Sequence, residues 1–299
     1  MWFKNLFLYR LPVDWTLSAA ELEEKIAKKP LQQCGNQDKL CRGWISPTGT
    51  DALVHVLNGQ FLIALGVEQK LLPASIINRF AKERASEIEE QEGRKVGRKE
   101  MRDIKELVTE QLLPRAFAIQ RSTRAWIDPL NHWLVVDAAS QAKADEVLEV
   151  LSKTLDRLPA KLLQTQNAPS AAMTEWLAGK ESPAGFSIDR DLDLSSKDDG
   201  KATVRYVRHD LEGDEIQTLI AAGKTATRLG MTWDEKISFV LTEQLQIKRL
   251  IFLDILTEEA ENQSDNKEET FDINFTLMTG ELAKLLPDLV QALGGEMVQ

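Results

Sequence analysis

The chain has 299 residues, of which 43% are hydrophobic and 28% charged, and its formal net charge at pH 7 is −10. This composition is ordinary for a globular protein of about two domains, and no run approaches the ~20 consecutive apolar residues of a membrane helix. The N-terminal segment lacks the basic, apolar and small-residue order of a signal peptide, so we expect a cytoplasmic protein that does not contact a membrane.

The acidic charge is concentrated in one interval. Between Asp254 and Asp272 lie eight acidic residues and one base, Lys267, a local net charge of −7 that leaves −3 for the other 280 residues. An acidic run mixed with Asn, Gln and Ser is typical of a solvated loop. The total charge therefore does not exclude a basic working surface elsewhere in the chain.

Strand and helix patterns alternate along the first half of the chain. Alternation over Trp2–Arg10 predicts a half-buried strand, and the capping-box spacing of Ser18 and Glu21 predicts a helix that ends before Pro30. Pro73 fits the first turn of another helix. Further strands are predicted at 60–65, 117–127 and 133–138, and further helices at 142–158 and 170–177.

Residues 81–113 form a long, charged segment with few apolar residues before Ile104. Gly93 and Gly97 interrupt this segment, and glycine is unfavourable inside a helix. We therefore predict two helices that are joined near these glycines and project from the body of the protein.

Strand patterns dominate the C-terminal part of the chain. Strands are predicted at 202–208, 225–231, 237–241 and 247–253, and helices at 214–222 and 281–293. Local strands with interspersed helices predict an α+β fold with mixed or antiparallel sheets rather than a regular parallel sheet. We expect an N-terminal and central α+β region (1–75 and 114–180), a charged helical projection (76–113) and a C-terminal α+β region (181–299) with an acidic loop at 254–272.

Signatures of catalysis are scarce. The chain has no Walker A loop and no G-x-G-x-x-G, G-x-S-x-G or H-E-x-x-H motif. The carboxylates at 189, 191 and 193 have the spacing of a calcium loop, but Leu194 and Gly200 stand where that loop needs Gly and Glu. We read the polar stretch 189–200 as a solvated loop. We expect Cys34 and Cys41 to be free thiols, and the protein to be no enzyme and to hold no cofactor or metal.

A metal nuclease is the natural enzymatic alternative, because such sites combine metal-binding carboxylates with a lysine. The acid-x-Lys spacing occurs at Glu68 and Lys70 and again at Asp103 and Lys105. The second pair falls in a predicted helix, where positions i and i+2 do not share a face. Two such matches are expected by chance in a chain with this much charge.

The first basic cluster lies within the predicted helical projection. Its members are Arg94, Lys95, Arg98, Lys99, Arg102 and Lys105. Arg94, Arg98, Arg102 and Lys105 would share one face if the helix were continuous. Such a face can neutralise phosphates whatever the base sequence. The alternative is an ordinary solvated helix.

The second basic cluster flanks the predicted helix 214–222. Its members are Arg205, Arg208, Lys224 and Arg228. Lys224 and Arg228 lie four apart on a predicted strand, so they would face the same side of a sheet and could line a DNA-facing surface. An ordinary sheet surface is the alternative. Neither cluster shows an aromatic stacking platform of the kind that single-strand binders use, which favours duplex or mixed binding.

Several segments taken together resemble the bacterial RdgC family of recombination-associated proteins. They are WFKNLFLYRL, CGNQDK, GWISP, LLPASIINRF, LLPRAF, WID, AMTEWL, AGKTATRLGMTW and FTLMTGELAKLLPDLVQALGGE, and they span residues 2–296 in family order. The resemblance implies a nucleoid-associated protein that binds DNA with little sequence preference. It also implies a ring-shaped homodimer that encloses duplex DNA and restrains RecA-promoted recombination.

The resemblance further implies roles for individual residues. Arg115 and Phe117 match family positions at a dimer contact, and an exposed Phe beside an Arg fits an interface anchor. The alternative is a buried Phe next to a surface Arg. Arg94 matches a basic position of the family's helical segment, and Lys224 and Arg208 match basic residues of its inner, DNA-facing surface. His209 stands in place of the family's more usual Gln. Residues 182–199 and the acidic run after Leu256 fit the family poorly, so no role is carried over there.

The sequence thus predicts a non-catalytic protein that binds DNA independently of base sequence. Duplex DNA is the expected partner, with single-stranded DNA as a second candidate, and a second copy of the chain is expected in the assembly. Two alternatives remain open, namely a Mg²⁺-dependent nuclease and a protein that antagonises recombination enzymes by binding them without contacting DNA.

Overall fold

A computed structural model describes residues 2–196, 202–253 and 266–297. Its helices are α1 (Ala19–Ala27), α2 (Ala74–Glu92), α3 (Arg98–Leu112), α4 (Gln141–Leu155), α5 (Pro169–Gly179), α6 (Asp214–Ala221) and α7 (Lys267–Ala292). Its strands are β1 (Leu6–Arg10), β2 (Leu40–Ile45), β3 (Val54–Leu57), β4 (Gln60–Lys70), β5 (Ala118–Asp128), β6 (Trp133–Asp137), β7 (Lys161–Leu162), β8 (Phe186–Ser196), β9 (Thr203–Tyr206), β10 (Lys224–Trp233), β11 (Ile237–Thr242) and β12 (Ile247–Phe252). Within these ranges no helix is long and apolar enough to cross a membrane.

The described strands form one large sheet in the order β2-β4-β5-β6-β1-β12-β11-β10-β8-β9, with β3 beside β4 and β7 beside β1. Every pair of these strands is antiparallel. The predicted α+β class with antiparallel strands is therefore confirmed. Strand β1 pairs with β6 at five positions but with β12 only at Leu6 and Ile247, so β1 joins an N-terminal and a C-terminal half-sheet.

The N-terminal half-sheet is built on β4 and β5, which pair at ten positions from Phe61 and Ile127 to Lys70 and Ala118. Alternate residues reach opposite faces of the sheet, so Trp126 enters one core while Ile127 enters the other. The second core is covered by α1 and α4. The buried indole of Trp44 donates to the Thr154 hydroxyl of α4 at 3.0 Å, which ties this helix to the sheet.

The C-terminal half-sheet packs against α5, α6 and α7, whose apolar side chains belong to one core with its inner face. The predicted last helix at 281–293 in fact begins at Lys267, because Phe275 and Met278 continue its buried stripe and Glu268 and Glu269 lie in its first turn, where negative charge is favourable. The predicted acidic loop 254–272 is thus wrong over 267–272. Its part from 254 to 265 lies outside the described residues.

The prediction of a solvated loop at 189–200 is also wrong for its first part. Residues 189–196 belong to β8, because Leu192 and Leu194 are buried in the core and the intervening Asp193 reaches the other face. Asp189, which the calcium-loop spacing included, accepts hydrogen bonds from the hydroxyls of Thr232 and Ser238 at 3.0 Å. Residues 197–200 lie outside the described residues.

The charged segment before β5 forms two helices, as predicted. The first ends at Gly93, which adopts the left-handed conformation at φ 67° and donates its N–H to the Glu89 carbonyl at 2.9 Å. The second begins after Gly97. The two helices pack against each other through a small core of their own, formed by Ala81, Ala85, Ile104 and Val108. The division of the whole chain into three regions stays a prediction.

Candidate nucleic-acid interface

The first basic cluster does not form the continuous helical stripe that its spacing predicts. Arg94 and Lys95 lie in the connection between α2 and α3, because the left-handed residue Gly93 ends the first helix. Only the later members of the cluster, from Arg98 onward, lie on one helix. Arg94 therefore does not belong to the face of α3 that carries Arg98 and Arg102.

Arg94 is already engaged by two carboxylates. Its guanidinium donates to both oxygens of Glu100 at 2.7 and 2.8 Å, and one of its nitrogens lies 2.6 Å from Glu92. The hydrogen bonds with Glu100 and the charge of both carboxylates raise the pKa of Arg94. The same contact holds the pKa of Glu100 below its ordinary value. A phosphate at Arg94 must therefore compete with a bidentate ion pair.

The other cations of this cluster have no carboxylate within 4.0 Å among the residues that the structure describes. These unpaired cations are Lys95, Arg98, Lys99, Arg102 and Lys105. All except Lys105 are exposed. Arg102 and Lys105 also line an open groove of about 790 Å³ that extends to Lys39. The five unpaired cations give this part of α3 and its connection a net positive surface.

The second basic cluster is arranged around a buried carboxylate. Arg205 of β9 donates to both oxygens of Asp193 at 2.9 Å, and Arg228 of β10 lies 4.0 Å from the same carboxylate. The two hydrogen bonds to Asp193 raise the pKa of Arg205. Because one carboxylate serves both cations, the group keeps a positive charge.

The prediction that Lys224 and Arg228 share a face is wrong. A β-bulge interrupts the pairing of β10 with β8 between Ala226 and Arg228, so Ala226 and Leu229 both reach the core although they are three residues apart. One extra residue reverses the alternation of side chains. Arg228 therefore lies on the outer face, whereas Lys224 lies on the core side and donates to the Ala202 carbonyl at 3.2 Å.

Two further cations, absent from the sequence prediction, extend this outer face. Arg249 of β12 is paired with Asp191 at 3.0 Å. Lys248 lies 4.2 Å above the ring of Phe7, and burial, assisted by the charge of Arg228, lowers its pKa. The sequence does show two adjacent basic residues inside the predicted strand 247–253. It does not show which face of the sheet each of them occupies, because the pairing of β12 with β11 is irregular at this point.

Arg208 and His209 lie after the end of β9. The predicted strand 202–208 included Arg208, and this part of the prediction is wrong. Arg208 has φ 54° and its guanidinium has no carboxylate within 4.0 Å among the described residues; its backbone N–H donates to Asp191 at 3.0 Å. His209 lies 3.3 Å from Glu215, and its ring centroid is 5.0 Å from that of Tyr206. The second cluster therefore contains one aromatic pair that the sequence analysis had not identified.

Phe117 is exposed, which excludes the alternative of a buried core residue. It precedes β5, follows a short 3-10 turn at Leu113–Arg115, and keeps 86% of its surface accessible. Its carbonyl accepts the N–H of Leu71 at 2.7 Å, which continues the pairing of β4 with β5 by one residue. Leu71, Phe117 and Ile119 thus lie on one face and form an exposed apolar patch, beside the exposed Arg115.

Comparison with known proteins identifies the family. A family model described as "Putative exonuclease, RdgC" matches residues 1–296. The chain belongs to the RdgC family. It is 53% identical over 299 residues to "Recombination-associated protein RdgC" of Herminiimonas arsenicoxydans, with 100% of both chains covered. It is 53% identical over 297 residues to the protein of the same name from Janthinobacterium sp. (strain Marseille), with 99% of both chains covered. The family resemblance read from the sequence is confirmed.

The family model is described as an exonuclease, and a metal nuclease would need an acid-x-Lys pair such as Glu68 and Lys70 to be available for a metal ion and water. The carboxylate of Glu68 accepts from the Cys34 N–H and the Gln120 amide, both at 2.8 Å. The ammonium of Lys70 donates to the Gly35 carbonyl at 2.6 Å. Both members of this pair are therefore occupied by their own chain. Within the described ranges, no three His, Cys, Asp or Glu side chains are grouped to hold a metal ion.

Proposed function

We propose that this chain binds DNA through its phosphates, without reading the bases and without changing the DNA covalently. The observation that carries the proposal is the set of five unpaired cations on α3 and its connection, in a chain whose net charge is −10. Cations without carboxylate partners lose no ion pair when they meet a phosphate. Their binding releases the counterions of DNA, which supplies affinity that does not depend on sequence.

The second basic cluster is proposed to contribute in two ways. Arg208, which has no carboxylate within 4.0 Å among the described residues, can contact a phosphate directly. Arg205 and Arg228 share Asp193 and act as one positively charged group. Lys224 and His209 are proposed to lie at its margin, where each already has a partner within the chain. Arg94 contributes only where a phosphate displaces Glu100.

A second copy is proposed to complete the assembly through the exposed apolar patch. An exposed Phe flanked by Leu71 and Ile119 leaves apolar surface in water that a symmetric partner can cover. Arg115 then lies at the rim of this contact, where Arg is favoured. We further propose that the homodimer is ring-shaped and encloses duplex DNA, with basic residues inside and acidic residues outside. An acidic exterior discourages binding of DNA to the outer surface.

In the cell, the proposed role is to associate with the nucleoid and restrain RecA-promoted recombination by occupying DNA. The names of the two relatives link those proteins to recombination. An antagonist that binds only recombination enzymes would show no DNA affinity when purified. Fluorescence anisotropy with two unrelated duplexes and a single strand separates these cases. We expect equal affinity for both duplexes; no binding, or binding to one sequence alone, contradicts the proposal.

The exonuclease description of the family model favours one other candidate, a Mg²⁺-dependent nuclease. Incubating the purified protein with Mg²⁺ and both supercoiled and linear DNA tests it, with chelator and Glu68→Gln as controls. We expect both DNA forms to stay intact. Nicking or end degradation that needs Mg²⁺ and disappears in the Glu68→Gln variant would replace our proposal by the nuclease.

A further inference from the structure

The two cysteines of the chain meet beside Glu68. Cys41 of β2 is the register partner of Glu68 in β4. The backbone N–H of Cys34 donates to the Glu68 carboxylate at 2.8 Å, and its sulfur lies 3.4 Å from the Glu68 carbonyl. Burial and the neighbouring Cys41 raise the pKa of the Cys34 thiol, so the two side chains lie close to each other. Both residues are half-buried, so a small reagent can reach them.

The loop between the cysteines is held in this arrangement by its own contacts. The Gly35 N–H donates to the Asp38 carboxylate at 2.9 Å, which turns the chain back toward β2. The Lys70 ammonium donates to the carbonyls of Gly35 and Asn36 at 2.6 and 3.2 Å. Because Glu68 and Lys70 fix the loop to β4, both cysteines are held next to Glu68 in the folded state.

We propose that Cys34 and Cys41 form a reversible intramolecular disulfide by exchange with a small-molecule disulfide such as oxidised glutathione. The Cys41 thiolate attacks one sulfur of the reagent, which forms a mixed disulfide and releases one small thiolate. Cys34 then loses its proton to solvent, and its sulfur attacks the Cys41 sulfur and releases the second small thiolate. The protein is oxidised by two electrons, and the reagent is reduced to two thiols.

The surroundings of Cys34 assign the order of these steps. Burial raises the pKa of the Cys34 thiol to about 12, and the neighbouring Cys41 and Glu68 act in the same direction. The attacking species in exchange is the thiolate. The Cys34 thiol also donates to the Glu68 carbonyl at 3.4 Å, and this hydrogen bond holds its proton. The first attack is therefore assigned to Cys41, and Cys34 resolves the mixed disulfide.

The pair lies close to the apolar patch. Lys70, which holds the loop, is followed directly by Leu71, whose N–H donates to the Phe117 carbonyl. A disulfide at Cys34 and Cys41 therefore fixes the strand end that carries the patch. The disulfide proposal does not depend on the proposed DNA binding, so either proposal can be wrong without the other.

The test equilibrates the native protein in glutathione buffers of graded redox ratio, quenches free thiols by alkylation and measures intact mass. We expect an intramolecular disulfide, with peptides containing Cys34 and Cys41 joined after proteolysis. In the native protein its equilibrium constant should exceed that of the urea-unfolded chain at least tenfold, which stabilises the fold by about 1.4 kcal/mol at 25 °C. Equal constants, or mixed disulfides alone, would overturn the proposal.

Single substitutions test the order of attack. Cys34→Ser should accumulate the mixed disulfide at Cys41, whereas Cys41→Ser should react at least tenfold more slowly at neutral pH. The double variant controls for reaction outside the pair. Equal rates, or faster reaction of Cys41→Ser, would contradict the assigned order. The wild-type measurement decides the proposal even where a variant folds poorly.

Discussion

Replacing Phe117 by Ser should separate the proposed dimer without unfolding the chain. Phe117 is 86% exposed in the single chain, so little of its apolar surface contributes to the stability of that chain. Burying a Phe side chain contributes about 1.5–3 kcal/mol. A twofold dimer loses this contribution twice, about 3–6 kcal/mol in all, which weakens dimerisation roughly 10²- to 10⁴-fold.

Sedimentation velocity over a concentration series measures this shift directly. The thermal midpoint should stay close to that of the wild type, because exposed substitutions usually change stability by less than ~0.5 kcal/mol. Leu130→Ser provides the matched control, since Leu130 is 81% exposed in a different loop. An unchanged dissociation constant for Phe117→Ser, or an equal shift for Leu130→Ser, refutes the assignment of the patch.

Three further sets of substitutions test other parts of the account. Replacing Lys95, Arg98 and Lys99 by Gln should reduce the slope of log affinity against log salt by up to about 2.7 per copy, while Lys153→Gln, which removes a cation paired with Glu149, should leave it unchanged. Lys224→Ala and Arg94→Ala should each weaken binding equally on two unrelated duplexes, and a loss confined to one sequence would argue against backbone contacts. Gly43→Ala should lower the urea midpoint, because its Cβ would lie 2.3 Å from the Leu31 nitrogen and such overpacking costs about 1–3 kcal/mol; an unchanged midpoint would show that the strand can move aside.

Local signals in the sequence located several elements correctly. The Ser18 and Glu21 spacing predicted a capping box, and both of its reciprocal hydrogen bonds are present at the start of α1. Gly93 ends α2, because its left-handed backbone stops the helix without a steric penalty. These features depend on residues within one turn of each other, so the sequence alone is enough to find them.

Elements that carry charge in the interior were predicted less well. The predicted strand 60–65 continues to Lys70, through Glu68, which is 6% exposed. Its carboxylate is satisfied by Cys34 and Gln120, which lie 34 and 52 residues away in the chain. Charged residues normally end a predicted buried strand, and only the folded chain provides such distant partners. The same reason explains why β8 was missed.

The sequence identified most of the basic residues of the candidate interface, but it did not predict which of them share a face or are free of ion pairs. The bulge in β10 separates Lys224 from Arg228, and no residue in that stretch marks the bulge in the sequence. The ion pairs of Arg94 and Arg205 depend on carboxylates brought close by folding. Exposure of Phe117 likewise depends on where the pairing of β4 and β5 ends. Register and tertiary pairing, rather than composition, decide which cations are free.

The affinity for duplex DNA measured over a series of salt concentrations tests the central claim most directly. If the five unpaired cations and Arg208 each contact one phosphate, log affinity should fall linearly with log salt, with a slope of about −5.4 per copy. The slope should be the same for two duplexes of unrelated sequence. A flat dependence on salt, or the absence of binding at low salt, would contradict the claim that this chain binds DNA through its phosphates.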